Sequence, residues 1–182
     1  IARRQRQMCI REETGHAIST AVLLGVINVI ATIVALWLID RVGRRKLLIT
    51  SMFFMMLSLF IIGIGLSRNT GMVKSIRFLS LIIYIIAFAI GMGPITWLLI
   101  SEIYPIRIRA QAMSIATFAN WLSNYVVSLT FLPIMYIITP SGAFFLYGFI
   151  ALFALMFVFK RVPETKGKSL TEISKELHVN SL

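Results

Sequence analysis

Polar residues are sparse along this chain, and their spacing divides it into long apolar runs. Residues 17–39, 47–66, 78–100, 111–136 and 143–159 contain no Asp, Glu, Lys or Arg. A bilayer core about 30 Å thick takes roughly 20 residues of helix. A charge in mid-span costs at least about 2.5 kcal/mol on insertion scales, so its absence from all five runs is one consistent signal. Buried helices of a soluble bundle would keep polar faces at helical spacing, which these runs lack. The pattern predicts an all-α polytopic membrane protein with five transmembrane helices. The uncharged stretch 110–159 is too long for one span, and Pro133 and the Thr139, Pro140, Ser141, Gly142 cluster divide it in two.

The flanks are basic. Segment 1–16 carries Arg3, Arg4, Arg6 and Arg11 and is expected to be a separate, unassigned tail. The start on Ile1, with no secretory signal behind it, suggests a piece of a longer chain. Segment 161–182 reads either as a cytoplasmic tail with a short helix or as a loosely ordered one. Ser169 and Glu172 fit a capping box there, and Leu170, Ile173 and Leu177 share a face.

Composition agrees with the membrane pattern. Of 182 residues, 58% are hydrophobic and 14% charged, against about a quarter charged in soluble domains. The net charge of +11 raises nucleic acid as a partner. The basic residues cluster between apolar runs, without aromatics beside them, and so read as orientation signals instead. The loops after the first and third runs and the tail after the fifth hold eleven of the eighteen: Arg41, Arg44, Arg45, Lys46, Arg107, Arg109, Lys160, Arg161, Lys166, Lys168 and Lys175. Alternate segments share one side, and the positive-inside rule makes that side cytoplasmic.

Inside the runs, uncharged polar groups carry the information. Ser114, Thr117, Asn120, Asn124 and Ser128 recur every three or four residues, with Trp121 beside Asn120. That spacing makes one polar stripe. An amide has two donors and a two-lone-pair oxygen to satisfy, so this face is expected against another helix or a watered cavity. Thr20, Asn28 and Thr32 repeat the pattern in the first run. Interhelical hydrogen bonding is the plain alternative for any one of them.

The segment GMGPITW (91–97) weakens an apolar run at mid-depth. Pro94 lacks an N–H and clashes with the preceding turn, and Gly91 and Gly93 admit another backbone. Two readings stand: a static packing kink, or a discontinuous helix of the sort that lines transporter sites. Trp97, one turn on, offers an apolar face and one N–H, which suit a sugar ring. Signs of an enzyme are missing: no hydrolase, phosphate-loop or metal-spaced motif occurs, and His16 and His178 are isolated. No cofactor and no metal are expected.

Three stretches, DRVGRRKLL (40–48), ITWLLISEIYPIRIRAQAMSIATFANWLSN (95–124) and VPETKGKSLTEI (162–173), resemble the sugar porter branch of the major facilitator superfamily. The resemblance covers about residues 17–177. With Ala89 where animal members carry an acidic residue, it looks more like the bacterial sugar/proton symporters. It implies a twelve-helix fold in two halves, of which these runs are helices eight to twelve; the N-terminal half and helix seven would be the missing partner. It also implies transport of a monosaccharide, hexose or pentose, by alternating access across the cell (inner or plasma) membrane, with or without a coupled proton. By the resemblance, Trp97, Asn120, Asn124, Trp121 and Asn28 belong to the sugar site. Gly91, Gly93 and Pro94 form its gate, although Thr96 replaces a second proline common in animal members. Asp40, Arg44, Arg45, Glu102, Arg109 and Glu164 form a cytoplasmic charge network that closes the inner side. The rival reading is a truncated, non-transporting membrane remnant or a helical interaction partner.

Overall fold

A computed structural model describes the backbone of residues 2–67, 71–104, 106–162 and 164–165, and the side chains of 18–67, 75–104, 106–162 and 164–165. The elements are α1 (Ala2–Val42), α2 (Arg44–Ser67), α3 (Gly71–Ile90), α4 (Met92–Ile103), α5 (Ile106–Ile138) and α6 (Pro140–Arg161). Ile18–Val42, Arg44–Ser67, Ser75–Ile103, Ile106–Ile138 and Pro140–Arg161 are long and apolar enough to cross a membrane. Among the described residues the fold is therefore all-helical with five such helices, the third made of α3 and α4 together.

Two boundaries differ from the sequence expectation. Residues 2–16, expected as a separate tail, continue α1. Pro133 does not end a helix: α5 runs through it to Ile138. The chain turns only at the second expected break, at Thr139, whose φ of 81° a β-branched residue seldom adopts. Its Oγ1 accepts from Gly142 N at 3.3 Å, and Pro140 follows at the first helical position, so the cap offsets that strain. The short helix expected around residues 169–177 lies outside the described residues.

The third span is interrupted at one residue, Gly91. Gly91 N still donates to Ala87 O and Ile95 N to Gly91 O, both at 3.1 Å. Pro94 has no N–H to offer Ile90 O, which interrupts the ladder once. Between the two readings of GMGPITW, the backbone is a one-residue interruption and not an unwound segment.

α2 is the centre of the packing, with its largest interfaces against α6 and α3. Lipid tails are as apolar as leucine, so helices associate through close fit rather than through hydrophobic exclusion from water. The α2–α6 seam has that fit. Gly63 meets the Phe145 ring, Gly148 meets the Phe60 ring, and Ser141 Oγ donates to Gly63 O at 2.6 Å. At the end of the bundle near Gly43, Ile39, Leu47, Leu48, Met52, Ile95, Leu99 and Val158 form one cluster. It joins α1, α2, α4 and α6 below the turns that carry the charged motifs.

Candidate functional site

Two groups of residues were expected to act. The first is spread over α1, α4 and α5. α4 touches both α1 and α5, so Trp97 lies on the helix between those that carry Asn28 and Asn120. Trp97 is half-buried. The Thr96 hydroxyl turns back to Met92 O at 2.7 Å. On α5, Asn124 Nδ2 donates to Asn120 Oδ1 at 3.0 Å. That bond uses one donor and one acceptor, leaving both Asn120 N–H groups and the Asn124 oxygen for other partners. Trp121 is 68% exposed. On α1, Thr32 Oγ1 donates to Asn28 O at 2.8 Å and stands 3.4 Å from Asn28 Oδ1.

The polar stripe of α5 is largely uncovered among the described residues: Ser114, Asn120, Asn124 and Ser128 are exposed, Thr117 is half-buried, and no residue of α5 is fully buried. The facing helix or cavity that its amides require is thus not supplied by these elements. Two described grooves lie elsewhere. One of about 320 Å³ is lined by Leu38, Ser51, Phe54, Ile86, Ala87 and Ile90. Another of about 390 Å³ runs between α2 and α6 beside Phe53 and Met156. Both have apolar walls and lack the converging polar groups a hydroxyl-rich ligand needs. None of the five sugar-site residues lines either.

The second group assembles in part, and its geometry begins with Gly43. Its φ of 99° ends α1 in a left-handed cap and lets α2 start at the next residue. The first N–H groups of α2 have no partner within their helix. Glu164, arriving after α6, supplies one: Arg44 N donates to Glu164 Oε1 at 3.0 Å and Arg45 N at 3.4 Å. A carboxylate at a helix N-terminus also meets the positive end of the helix dipole. A Cβ on Gly43 would stand 3.0 Å from Glu164 Oε2, so the glycine makes room for the acid as well as for the turn.

Arg44 Nη2 lies 3.5 Å from Glu102 Oε1 and 3.6 Å from Asp40 Oδ1. The Asp40 side chain is 79% exposed and that of Glu102 27%. Water screens the first pair more strongly, so the Glu102 contact counts for more. Thr165 Oγ1 donates to Glu102 Oε2 at 2.6 Å. Arg44, Glu102, Thr165 and Glu164 thereby form a closed ring over the ends of α2, α4 and α6. Arg45 joins at its edge, Nη2 donating to Phe159 O at 2.7 Å. Arg109 does not enter the ring: its Nε donates to Tyr104 O at 3.3 Å. Thr165 was missed in the sequence expectation, although it follows Glu164 in the same motif. Its signal was a threonine beside an acid, common on any loop; burial to 5% exposure sets it apart.

The family described as "Sugar (and other) transporter" matches residues 9–177. This chain belongs to the sugar transporter family. It is 41% identical over 161 residues to the facilitated trehalose transporter Tret1 of Culex quinquefasciatus, covering 86% of this chain and 31% of that protein. The Tret1 of Apis mellifera ligustica is 40% identical, with 86% and 32% covered. Among solved structures, the inward-open xylose transporter XylE from E. coli matches with a TM-score of 0.78 and 37% identity, over 86% of this chain and 35% of that one. XylE described as a major facilitator superfamily proton:xylose symporter bound to 6-bromo-6-deoxy-D-glucose matches at 0.79 and 35%, over 90% and 35%.

The chain spans about a third of the length of these relatives. All of them are transporters. In this sugar transporter family member, the ring at the ends of α2, α4 and α6 brings together Arg44, Glu102 and Glu164 of the expected charge network, with Thr165 added and Arg109 outside it. The Trp97 face is the part of the expected site that the described residues leave open.

Proposed function

We propose that this chain is the C-terminal part, helices eight to twelve, of a monosaccharide transporter that works by alternating access and is proton-coupled in its complete form. The rest of the transporter covers the open face of α1, α4 and α5. Trp97 stacks on the sugar ring, and Asn120, Asn124 and Asn28 bond its hydroxyls, with Trp121 beside them. Gly91, Gly93 and Pro94 give α4 the freedom to gate. The ring of Arg44, Glu102, Thr165 and Glu164, with Asp40 and Arg45 at its margin, holds the inner side closed in the outward-open state. In this reading the ring end, the C-terminus and the Arg109 loop face the cytoplasm of a cell whose plasma or inner membrane holds the protein.

The observation that carries this reading is the open polar stripe of α5 next to the helix of Trp97, in a member of a sugar transporter family. Two amides 3.0 Å apart with unspent donors are costly in lipid, where a polar group needs a partner. A sugar between two halves would supply one. A charge ring at the helix ends biases a two-state equilibrium without touching the substrate, provided that only one state assembles it.

A second reading of the substrate comes from the relatives. The insect proteins are named for facilitated transport of trehalose, a disaccharide, and XylE for xylose with a proton. Uptake of radiolabelled xylose, glucose and trehalose by the complete parent protein in proteoliposomes, with and without an imposed pH gradient, separates them. Gradient-driven accumulation of a monosaccharide supports the reading. Downhill trehalose flux indifferent to pH replaces it with the second. The chain alone in the same liposomes tests the remnant reading: no uptake by the chain and uptake by the parent assign transport to the whole.

A further inference from the structure

We propose that Thr165 is a positioning residue of the inner closure: its hydroxyl holds Glu102 in place for Arg44 and so latches α4 to the segment after α6. The inference rests on the proposed inner closure by the charge ring.

The two contacts to Glu102 are unequal. Arg44 Nη2 is 3.5 Å from Oε1, outside hydrogen-bonding distance for N–H to O, so that pair is mainly Coulombic. Thr165 Oγ1 is 2.6 Å from Oε2, in the range of a charge-assisted O–H to carboxylate bond. The shorter contact fixes the carboxylate, and the longer one depends on where it is fixed. Thr165 is 5% exposed, so water competes poorly for its hydroxyl. Bonds to charged groups count for more than neutral ones, and a buried partner left unmatched is costly.

Position in the chain makes this bond a latch. Glu164 and Thr165 are consecutive, yet they reach different helices: Glu164 the start of α2 and Thr165 the last turn of α4. The Glu164 carboxylate pins the segment to α2, which leaves Thr165 little freedom to follow a moving Glu102. α4 is a single helix of 12 residues with Gly91 at its head, Trp97 midway and Glu102 near its end. A swing of α4 about Gly91 therefore breaks the Thr165–Glu102 bond early. The resting position of Trp97 is then set in part by a hydroxyl four residues past the end of α6.

The test uses the complete parent transporter with every native cysteine, Cys9 included, replaced by serine, and with Ser101→Cys as reporter. A membrane-impermeant maleimide is applied from the cytoplasmic side. Thr165→Val keeps the shape and removes the hydroxyl. We expect it to raise the labelling rate by about ten-fold, the scale of one charge-assisted hydrogen bond acting on a two-state equilibrium. Thr165→Ser restores the bond and labels within about two-fold of the parent on the same scale. Glu102→Gln raises labelling by itself, and Thr165→Val adds little on top of it, because the two act through one contact. If Glu102→Gln raises labelling and Thr165→Val does not, the closure stands and the role of Thr165 is refuted. If Thr165→Ser labels like Thr165→Val, the hydroxyl is not what matters and the inference fails. If neither Glu102→Gln nor Arg44→Gln changes labelling, the closure reading itself is wrong.

Discussion

Gly91 packs directly on Ser51. A Cβ built on Gly91 would fall within the Ser51 side chain, which is itself buried and bonded to Leu48 O at 2.8 Å. The interruption of the third span is thereby seated against α2, the most heavily packed helix. A glycine expected to admit a neighbouring backbone admits a neighbouring side chain here. The frame that the interruption rests against is a serine on a neighbouring helix.

Gly91→Ala should therefore cost more than helix propensity predicts. Alanine favours helix over glycine by roughly 1 kcal/mol, but the overlap forces α2 or α4 to shift, and overpacking costs about 1–3 kcal/mol. We expect a lower melting temperature for the detergent-solubilised parent protein. Ser51→Gly in the same chain should recover most of the loss. A Gly91→Ala protein that melts like the parent would contradict this packing.

Trp97→Ala and Asn120→Ala address the proposed sugar site. Each should weaken sugar binding by about ten-fold or more, the scale of one lost stacking or hydrogen-bonding partner. Equilibrium binding of labelled sugar to the parent transporter measures this. Unchanged affinity in both variants would remove these residues from the site.

Gly43→Ala tests the turn beneath the charge ring. It places a side chain at a φ of 99° and a Cβ 3.0 Å from the Glu164 carboxylate. The left-handed backbone alone costs a non-glycine residue about 1–2 kcal/mol. Glu164→Gln keeps the shape and removes the charge at the start of α2, at about 0.3–1 kcal/mol. Thermal unfolding should rank Gly43→Ala well above Glu164→Gln in damage. The reverse order would place the importance of this corner in charge instead of backbone.

Ser141→Ala removes the bond to Gly63 O across the α2–α6 seam. Such bonds within membranes average about 0.6 kcal/mol, so the shift in melting temperature should be small. Gly63→Val at the same seam should be far worse, because a Cβ already comes within 3.3 Å of the Phe145 ring. Equal effects would mean that the seam is held by its hydrogen bond and not by its fit.

Much of the architecture was legible from charge alone. A charge in lipid is costly enough that its absence marks each span, and all five spans follow from it. Boundaries were less legible where the signal was a single residue. Of the two breaks expected, α5 passes through the lone Pro133, and the turn falls at the expected Thr139 cluster, where hydroxyl, proline and glycine act together. The acids and arginines of the three motifs were recognisable by type, yet Arg109 bonds to Tyr104 O and Thr165 takes a place in the ring.

The sequence by itself determined the five spans, their clustering of basic residues and the motifs that carry the family likeness, because charge and apolar run length act locally along the chain. Only the tertiary structure decided that Gly91 meets Ser51, that Glu164 caps α2 and that Thr165 holds Glu102. Those contacts join residues 40 to 120 positions apart, and no local preference distinguishes a buried threonine beside an acid from an exposed one.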